Sequence, residues 1–502
     1  MPTAVPDYSA PPADSVQPAR LRGKADDRTW MTVAGSFIIL VLWFGVVSSS
    51  FWLDETGTWW IVKDGPAEAI HRALTWSGQS PLYYLIAWAS SRLFGLNEIA
   101  LRLPSMLAMA GATYFLWRIA ARLLDRASAA AVAFVFVCTA SFYAVDARPY
   151  ALALLGLAAS TWFLLCWLDS NRLPAAVLYV LTATSVVYAH VILSIGLAAG
   201  IVVAVVTLRR EIRRFVLFGC LQAAILALSA PIIGELLRFY STRSAHNFVA
   251  APAPMELLAG MIPCALAGAL VLLVWIGMHF RSEASLTGVC SRNAALLIGV
   301  WTFGAPLLLY AVSISTDLHL YVDRYYSSAL PGQALLAGAL LASIDRDSVR
   351  KGLIVVIMMV AILTQSRLRV SSHGNDDWRD AMAFVRQEAD DAPVLLVSPF
   401  AEGADFAAIN STDLREILFA PQIEYGYPAH AIRLPHVFPI NEILQLERST
   451  ESLAHEPRFY LVNDKPDWNY EMWLRGRLGS RCSTETTGNR FGYVWIARFT
   501  CK

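Results

Sequence analysis

PLYYLIAWASSRLFG, residues 81–95, decides how the rest of the chain threads. The run is apolar but short. A bilayer crossing takes about 20 helical residues over a hydrocarbon core of roughly 30 Å, and Arg92 falls inside this one. Counted as a span, it inverts every later loop. Counted as a re-entrant or interfacial helix on the outer face, it leaves residues 51–98 as one long external loop. The basic residues then occupy alternate loops on one side: Arg118, Arg122 and Arg126; Arg172; Arg209, Arg210, Arg213 and Arg214; Arg281 and Arg292; Arg346, Arg350 and Lys351. The N-terminal tail adds Arg20, Arg22, Lys24 and Arg28. This positive-inside pattern selects the second reading and a cytoplasmic N-terminus.

Apolar runs long enough to span lie near 31–50, 99–117, 127–145, 149–168, 174–190, 191–208, 215–237, 256–278, 293–315, 325–344 and 352–368. The expected fold is therefore an α-helical polytopic membrane protein of about eleven transmembrane helices. Composition agrees: 56% of the 502 residues are hydrophobic and only 16% charged, against roughly 25% charged in a soluble domain. With 40 Lys and Arg against 39 Asp and Glu, the charge balance offers nothing to a nucleic acid. The partner it implies is the lipid bilayer of the cell's inner, cytoplasmic membrane. Residues 1–29, rich in Pro, Ala and Asp, read as a disordered cytoplasmic tail. The first run has the basic leader of a signal peptide, but its length fits a retained anchor.

From about Ser371 the apolar runs shrink to strand length and polar residues rise. The transmembrane domain is expected over 30–369 and a small extracytoplasmic α/β domain over 370–502. DDWRDAMAFVRQEADD fits an amphipathic helix; APVLLVSPF, FYLVND and FGYVWIARF fit strands. Cys482 and Cys501, the two cysteines of this exported part, flank its last strand and are expected to form a disulfide. The other five, in or near spans, read as small buried hydrophobes.

Polar residues at the outer ends of the spans form four patches. The first is Asp54 and Glu55 in FWLDETGTWW, and the second Asp146, Arg148 and Tyr150 in SFYAVDARPYAL. The third is Tyr188 and His190, and the fourth DLHLYVDRYY with His319, Asp323, Arg324, Tyr325 and Tyr326. Carboxylates close to hydrocarbon are costly unless they serve a wet site. A carboxylate can take a hydroxyl proton while arginine forks hold a phosphate leaving group, so the set has the parts for moving a sugar off a phosphate-linked carrier. Each residue has a plainer reading. Asp54 serves as a helix cap, Arg148 and Arg324 as interfacial anchors, and His190 as a helix-end residue; Asp146 pairs with Arg148 and Asp323 with a nearby cation. Lys63, His71, Arg72 and Arg92 read as lipid-headgroup contacts, and Tyr83 and Tyr84 as part of an interfacial aromatic belt. No CxxC or HExxH spacing is present. Asp54 and Glu55 are the candidate ligands for a divalent metal, whose use is left open.

SPLYYLIAWASSRLFGLNEIALRLPSMLAMAGATYFLW, residues 80–117, resembles the signature of bacterial membrane glycosyltransferases of the C superfamily. It is most similar to their protein O-mannosyltransferase-like, aminoarabinose transferase-like and galacturonosyltransferase (RgtA/B/C/D-like) group. The acidic pair, DARPYAL and DRYYSSALPG fall where that group has its motifs, and the likeness runs over roughly residues 30–345. It implies a GT-C fold and transfer of a sugar from a polyprenyl-phosphate donor to a lipid, glycan or protein acceptor on the outer face. It further implies Asp54 as catalytic base, Glu55 as its acidic neighbour, and Arg324 and Arg148 at the donor phosphate. His190, Asp146, Tyr150 and Tyr325 line the same donor site. Where the aminoarabinose transferases carry a lysine before the proline of PLYY, this chain has Ser80. The competing class is a polytopic transporter or flippase of a lipid-linked sugar. Such proteins tend to show internal repeats and helices broken at mid-membrane, neither of which is evident.

Overall fold

Helix α1 (Leu53–Val62) follows directly on the first apolar run and leads into α2 (Pro66–Thr75), α3 (Leu82–Phe94) and α4 (Glu98–Leu123). Then come α5 (Arg126–Thr139), α6 (Tyr150–Ser170), α7 (Leu173–Ala189), α8 (Ala198–Leu208), α9 (Ile212–Tyr240), α10 (Arg292–Ser315), α11 (Leu330–Ala342), α12 (Asp347–Leu368) and α13 (Trp378–Ala389). Short helical turns join several of them. The computed structural model describes residues 43–75, 80–240, 250–261, 272, 274–276, 290–344, 346–368, 376–412, 414–464 and 468–502. Most of the runs expected near 31–50 and 256–278 lies outside these residues.

The helix starts are written in capping side chains. Asn97 accepts the Ala100 N–H at 2.9 Å to open α4, Asp125 accepts those of Ala127 and Ser128 to open α5, and Ser291 accepts that of Ala294 to open α10. Among the described residues, α4, α6, α9 from Ile212 to Gly234 and α10 are long and apolar enough to cross a membrane. Helices α5 and α7 and the segment Ile192–Leu208 are apolar but shorter. The chain is a multi-pass membrane protein, and α9 turns Phe215, Val216, Leu217, Leu226 and Leu228 outward as a lipid-facing stripe.

Helix α3 is 13 residues long, about 20 Å, and so falls short of the hydrocarbon core. It folds back on α4 through Ser90 Oγ to the Ala100 carbonyl at 2.6 Å and the Tyr83 hydroxyl to the Leu101 carbonyl at 3.1 Å. Tyr83 and Tyr84, expected in an interfacial belt, are instead fully buried. The α3–α4 contact takes the inner face of α3, and lipid keeps the outer one, where Leu93 and Phe94 project. Two expected spans also open differently. Residues 127–145 break after Thr139 into the four-residue turn Ser141–Ala144, and 325–344 becomes regular helix only at Leu330. In both, the irregular backbone lies at the end of the bundle that carries the polar patches, leaving room for functional side chains.

At the opposite end, Arg122 reaches Asp169 at 2.5 Å and Arg350 reaches Asp125 at 3.7 Å. The basic ends of α4, α5, α6 and α12 therefore share one side. One apolar core fills the bundle from Trp43 to Ile357, built largely on α4, α5, α6, α10 and α11.

The C-terminal part is a five-stranded sheet of β1 (Val394–Val397), β2 (Ala431–Leu434), β3 (Arg458–Asn463), β4 (Cys482–Thr486) and β5 (Trp495–Cys501), in the order β2-β1-β3-β5-β4. Strand β1 runs parallel to β2 and β3; β5 runs antiparallel to β3 and β4. Cys482 and Cys501 face each other in register across β4 and β5 and are disulfide-bonded. A second core joins this sheet and α13 to Phe51, Trp59, Trp60, Tyr83, Tyr84 and Leu101, so the outer loop and the C-terminal sheet pack as one body.

Candidate active site

The site is assembled around a buried ion pair. Arg102 on α4 is wholly excluded from solvent, and so is the side chain of Glu55 in the first turn of α1. Arg102 Nε donates to Glu55 Oε1 at 2.7 Å, while its terminal nitrogens donate to the carbonyls of Val47, Ser49 and Ser50 at 3.0, 2.8 and 3.0 Å. Glu55 also accepts the Ala147 N–H at 2.8 Å and the Trp52 N–H at 3.2 Å. One charge pair thus clamps the end of the first apolar run, the start of α1 and the DARPYAL loop together. Glu55, expected beside Asp54 as a catalytic or metal-binding group, is turned away from it and spent on this clamp. Adjacent residues of a helix lie about 100° apart, so the two cannot share a face.

Asp54 projects the other way. Trp52, not Asp54, sits at the cap position of α1. Asp54 Oδ2 accepts from Arg324 Nη1 at 2.9 Å, both side chains remaining about a quarter exposed at 24%. Arg148 Nη1 lies 3.4 Å from the Asp54 carbonyl. Three residues far apart in sequence therefore meet within hydrogen-bonding reach. Yet Nε of Arg148 and Nε of Arg324 are both buried without a hydrogen-bond partner. Unsatisfied guanidinium donors are costly in a protein interior and normally mark a missing ligand.

His190, at the C-terminus of α7, is 5% exposed, and both its ring nitrogens also lack partners. Its ring lies 5.2 Å from that of Tyr150 and 5.6 Å from that of Tyr325, which in turn sits under Arg324. Burial, with help from Arg148 and Arg324, lowers the imidazole to about 3, so it is neutral. Asp146 does not pair with Arg148 as a salt bridge. Its Oδ1 accepts Trp52 Nε1 at 3.1 Å, and its Oδ2 is a further buried orphan. Burial and the nearby Glu55 raise its carboxyl well above the usual range, against the pull of Arg148. Asp323 accepts the N–H of Arg324, and its carbonyl accepts the Tyr143 hydroxyl.

Several plainer expectations fall to contacts within the protein. Lys63 pairs with Glu416 at 2.8 Å, and Arg72 pairs with Asp64 at 2.6 Å while covering the Trp60 ring, so neither is a headgroup contact. Ser80 donates to the Tyr188 carbonyl, a structural bond between α3 and α7. Arg102 was legible as an arginine within an apolar run, a signal the four-patch reading passed over. Among the described residues no three His, Cys, Asp or Glu side chains are grouped to hold a metal. With Glu55 committed to Arg102, Asp54 alone does not make a cation cage.

Residues 78–234 match the family model described as dolichyl-phosphate-mannose-protein mannosyltransferase. Two solved structures of ArnT from Cupriavidus metallidurans superpose over 94% of this chain and 98% of theirs. The apo state does so at 13% identity with a TM-score of 0.56, and the form bound to undecaprenyl phosphate at 12% identity with a TM-score of 0.58. No curated protein matches the chain by sequence. The fold is the ArnT-like GT-C fold with a small C-terminal sheet domain.

Proposed function

We propose that the protein is a membrane glycosyltransferase that moves a sugar from a polyprenyl-phosphate-linked donor to a hydroxyl of a lipid, glycan or protein acceptor. It works on the outer face of the cytoplasmic membrane, with the N-terminus inside and the C-terminal sheet outside. The observation that carries this reading is the meeting of Asp54 with Arg324 and Arg148, whose Nε–H donors have no partner. The likeness to a fold that holds undecaprenyl phosphate supports the donor class.

The donor phosphate fits the orphaned guanidinium donors, which present planar forks to its oxygens. When Arg324 turns to the phosphate, Asp54 loses its ion-pair partner and is free to accept a proton. Asp54 then takes the proton of the acceptor hydroxyl as that oxygen bonds the anomeric carbon. The bond from that carbon to the phosphate oxygen breaks, and its electron pair leaves with the polyprenyl phosphate. Arg148 and Arg324 hold the departing charge, so no carboxylic acid is needed to protonate it. His190, neutral between Tyr150 and Tyr325, offers one N–H donor and one acceptor without adding charge.

Asp54→Asn keeps the size of the side chain and removes the base. Sugar transfer in membranes drops by about 100-fold or more, while yield and detergent stability stay near wild type. Full transfer by this variant refutes the assignment of Asp54.

A further inference from the structure

The outer sheet domain holds a cleft of about 380 Å³ that the reaction described above does not use. It is lined by Arg415, Glu416, Phe419, Ile423, Tyr427 and Arg433. We infer that this cleft docks a phosphate- or carboxylate-bearing saccharide of the acceptor glycan, an assignment that rests on the glycosyltransferase reading. Two independent observations lead there: the chemistry of the lining and its place relative to Asp54.

The lining is positive and has an apolar floor. Glu416 is already neutralised, accepting from Lys63 Nζ at 2.8 Å and Trp60 Nε1 at 3.2 Å. Among the described residues neither Arg415 nor Arg433 makes an ion pair, so two guanidinium groups face the cleft uncompensated. Both lie close enough to Tyr427 to pull its phenol down against the effect of burial. Phe419 is fully buried at the base, and Tyr427 is 39% exposed at the rim. Planar forks for an anion beside an aromatic face for a pyranose ring are what an acidic sugar requires. A neutral sugar leaves both arginines unanswered. A bare anion leaves the apolar floor uncovered.

The position joins the cleft to the chemistry. Glu416 on its wall holds Lys63 and Trp60, which belong to or directly follow α1, the helix whose first turn carries Asp54. Nine residues at about 1.5 Å each place Lys63 about 14 Å along the axis from Asp54. A short oligosaccharide spans that distance, with its acidic residue in the cleft and its reacting hydroxyl at Asp54. The route runs entirely through the outer core that unites α1 with the sheet domain.

The test uses the full chain in lipid nanodiscs, titrated with glucose 6-phosphate, glucuronic acid, glucose and inorganic phosphate. Glucose 6-phosphate and glucuronic acid bind; glucose does not, and inorganic phosphate binds more weakly than the phosphorylated sugar. Arg415→Gln with Arg433→Gln weakens binding by about tenfold or more, Arg415→Lys with Arg433→Lys restores part of it, and Asp54→Asn leaves it unchanged. Undiminished binding in the double Gln variant overturns the inference, as does glucose binding equal to that of the acidic sugars. Inorganic phosphate equalling glucose 6-phosphate overturns it too, by reducing the cleft to a plain anion site. A second measurement follows sugar transfer to membrane vesicles from a deletion strain, with the vesicles titrated as acceptor. The double Gln variant raises the half-saturating amount of vesicles by about tenfold. An unchanged half-saturation with Asp54→Asn inactive removes the cleft from the reaction and leaves the enzyme assignment intact. An active Asp54→Asn removes the enzyme assignment itself.

Discussion

Glu55 and Asp54 are neighbours with opposite employment, and the difference is the burial of their surroundings. Glu55 is closed inside the protein against Arg102, so removing its charge strands a buried guanidinium. Breaking such a pair costs about 3–5 kcal/mol, a large share of the 5–15 kcal/mol that holds a typical domain together. Glu55→Gln therefore lowers the thermal midpoint and the membrane yield, whereas Asp54→Asn leaves both nearly unchanged; equal midpoints for the two variants would contradict the clamp. His190 makes a second residue-scale prediction. Its folded value, about 3, lies below the usual 6.5, so as pH falls below 6.5 the unfolded chain takes up a proton that the folded chain refuses. Stability is fully present above pH 6.5 and declines as pH falls toward 3. Melting curves of wild type drop over that window, and those of His190→Gln drop less. For the same reason the transfer rate shows no limb near pH 6.5 that His190→Gln abolishes. The identities of the site residues were legible in sequence because charges beside apolar runs are rare. Their roles were less so. Which of two adjacent carboxylates turns inward depends on Arg102, a single residue of α4 some 47 positions away.

Elements are positioned by close packing that sequence reveals only in part. Gly332, in the first turn of α11, lies directly against α10, where an added Cβ would come within 2.5 Å of the Thr302 nitrogen and the Trp301 carbonyl carbon. These are backbone atoms and cannot rotate aside. Gly332→Ala pushes α11 off α10 at about 1–3 kcal/mol. The strain passes to the Arg324 loop because Trp301 Nε1 donates to the Ser328 carbonyl at 3.0 Å. The expected outcome is a lower melting midpoint together with slower transfer. Gly352→Ala in α12, where nothing lies within 4 Å, raises the midpoint slightly instead, by the helix preference for alanine. If both variants melt like wild type, close approach at Gly332 is not what seats α11. Apolar length and arginine bias were enough to read the long helices and the short α3. Strands β2 and β4, AIRL and CSTET, escaped because a short edge strand buries too little to impose an alternating pattern. Strands β1, β3 and β5 were readable since they carry the apolar runs of the sheet.

At the scale of the whole molecule, the outer sheet domain belongs to the body that holds the site. Composition marks a break near residue 370, but the core crosses it. Trp59, Trp60, Tyr83 and Tyr84 pack with α13 and the sheet. The Tyr425 hydroxyl accepts the Phe51 N–H at 2.8 Å and donates to Glu98 Oε1 at 2.7 Å, and the Arg379 N–H reaches Ser50 Oγ at 3.2 Å. Phe51 and Ser50 are the residues just before α1, so the sheet domain braces the segment that aims Asp54. Such contacts between positions over 300 apart leave no local trace, which is why sequence patterning reads two domains where packing makes one. A chain ending at residue 368 exposes four large aromatic side chains to water, at about 2–3 kcal/mol each, and removes every brace on α1 from outside. That loss, on the order of 10 kcal/mol, rivals the stability of a typical domain. The truncated protein is expected to insert, since the long apolar helices remain, but to lose transfer activity and to become protease-sensitive within residues 51–98. Protease mapping and transfer assays on truncated and full-length membranes check both. Wild-type activity with a protected loop would show instead that α3 and α4 alone position Asp54.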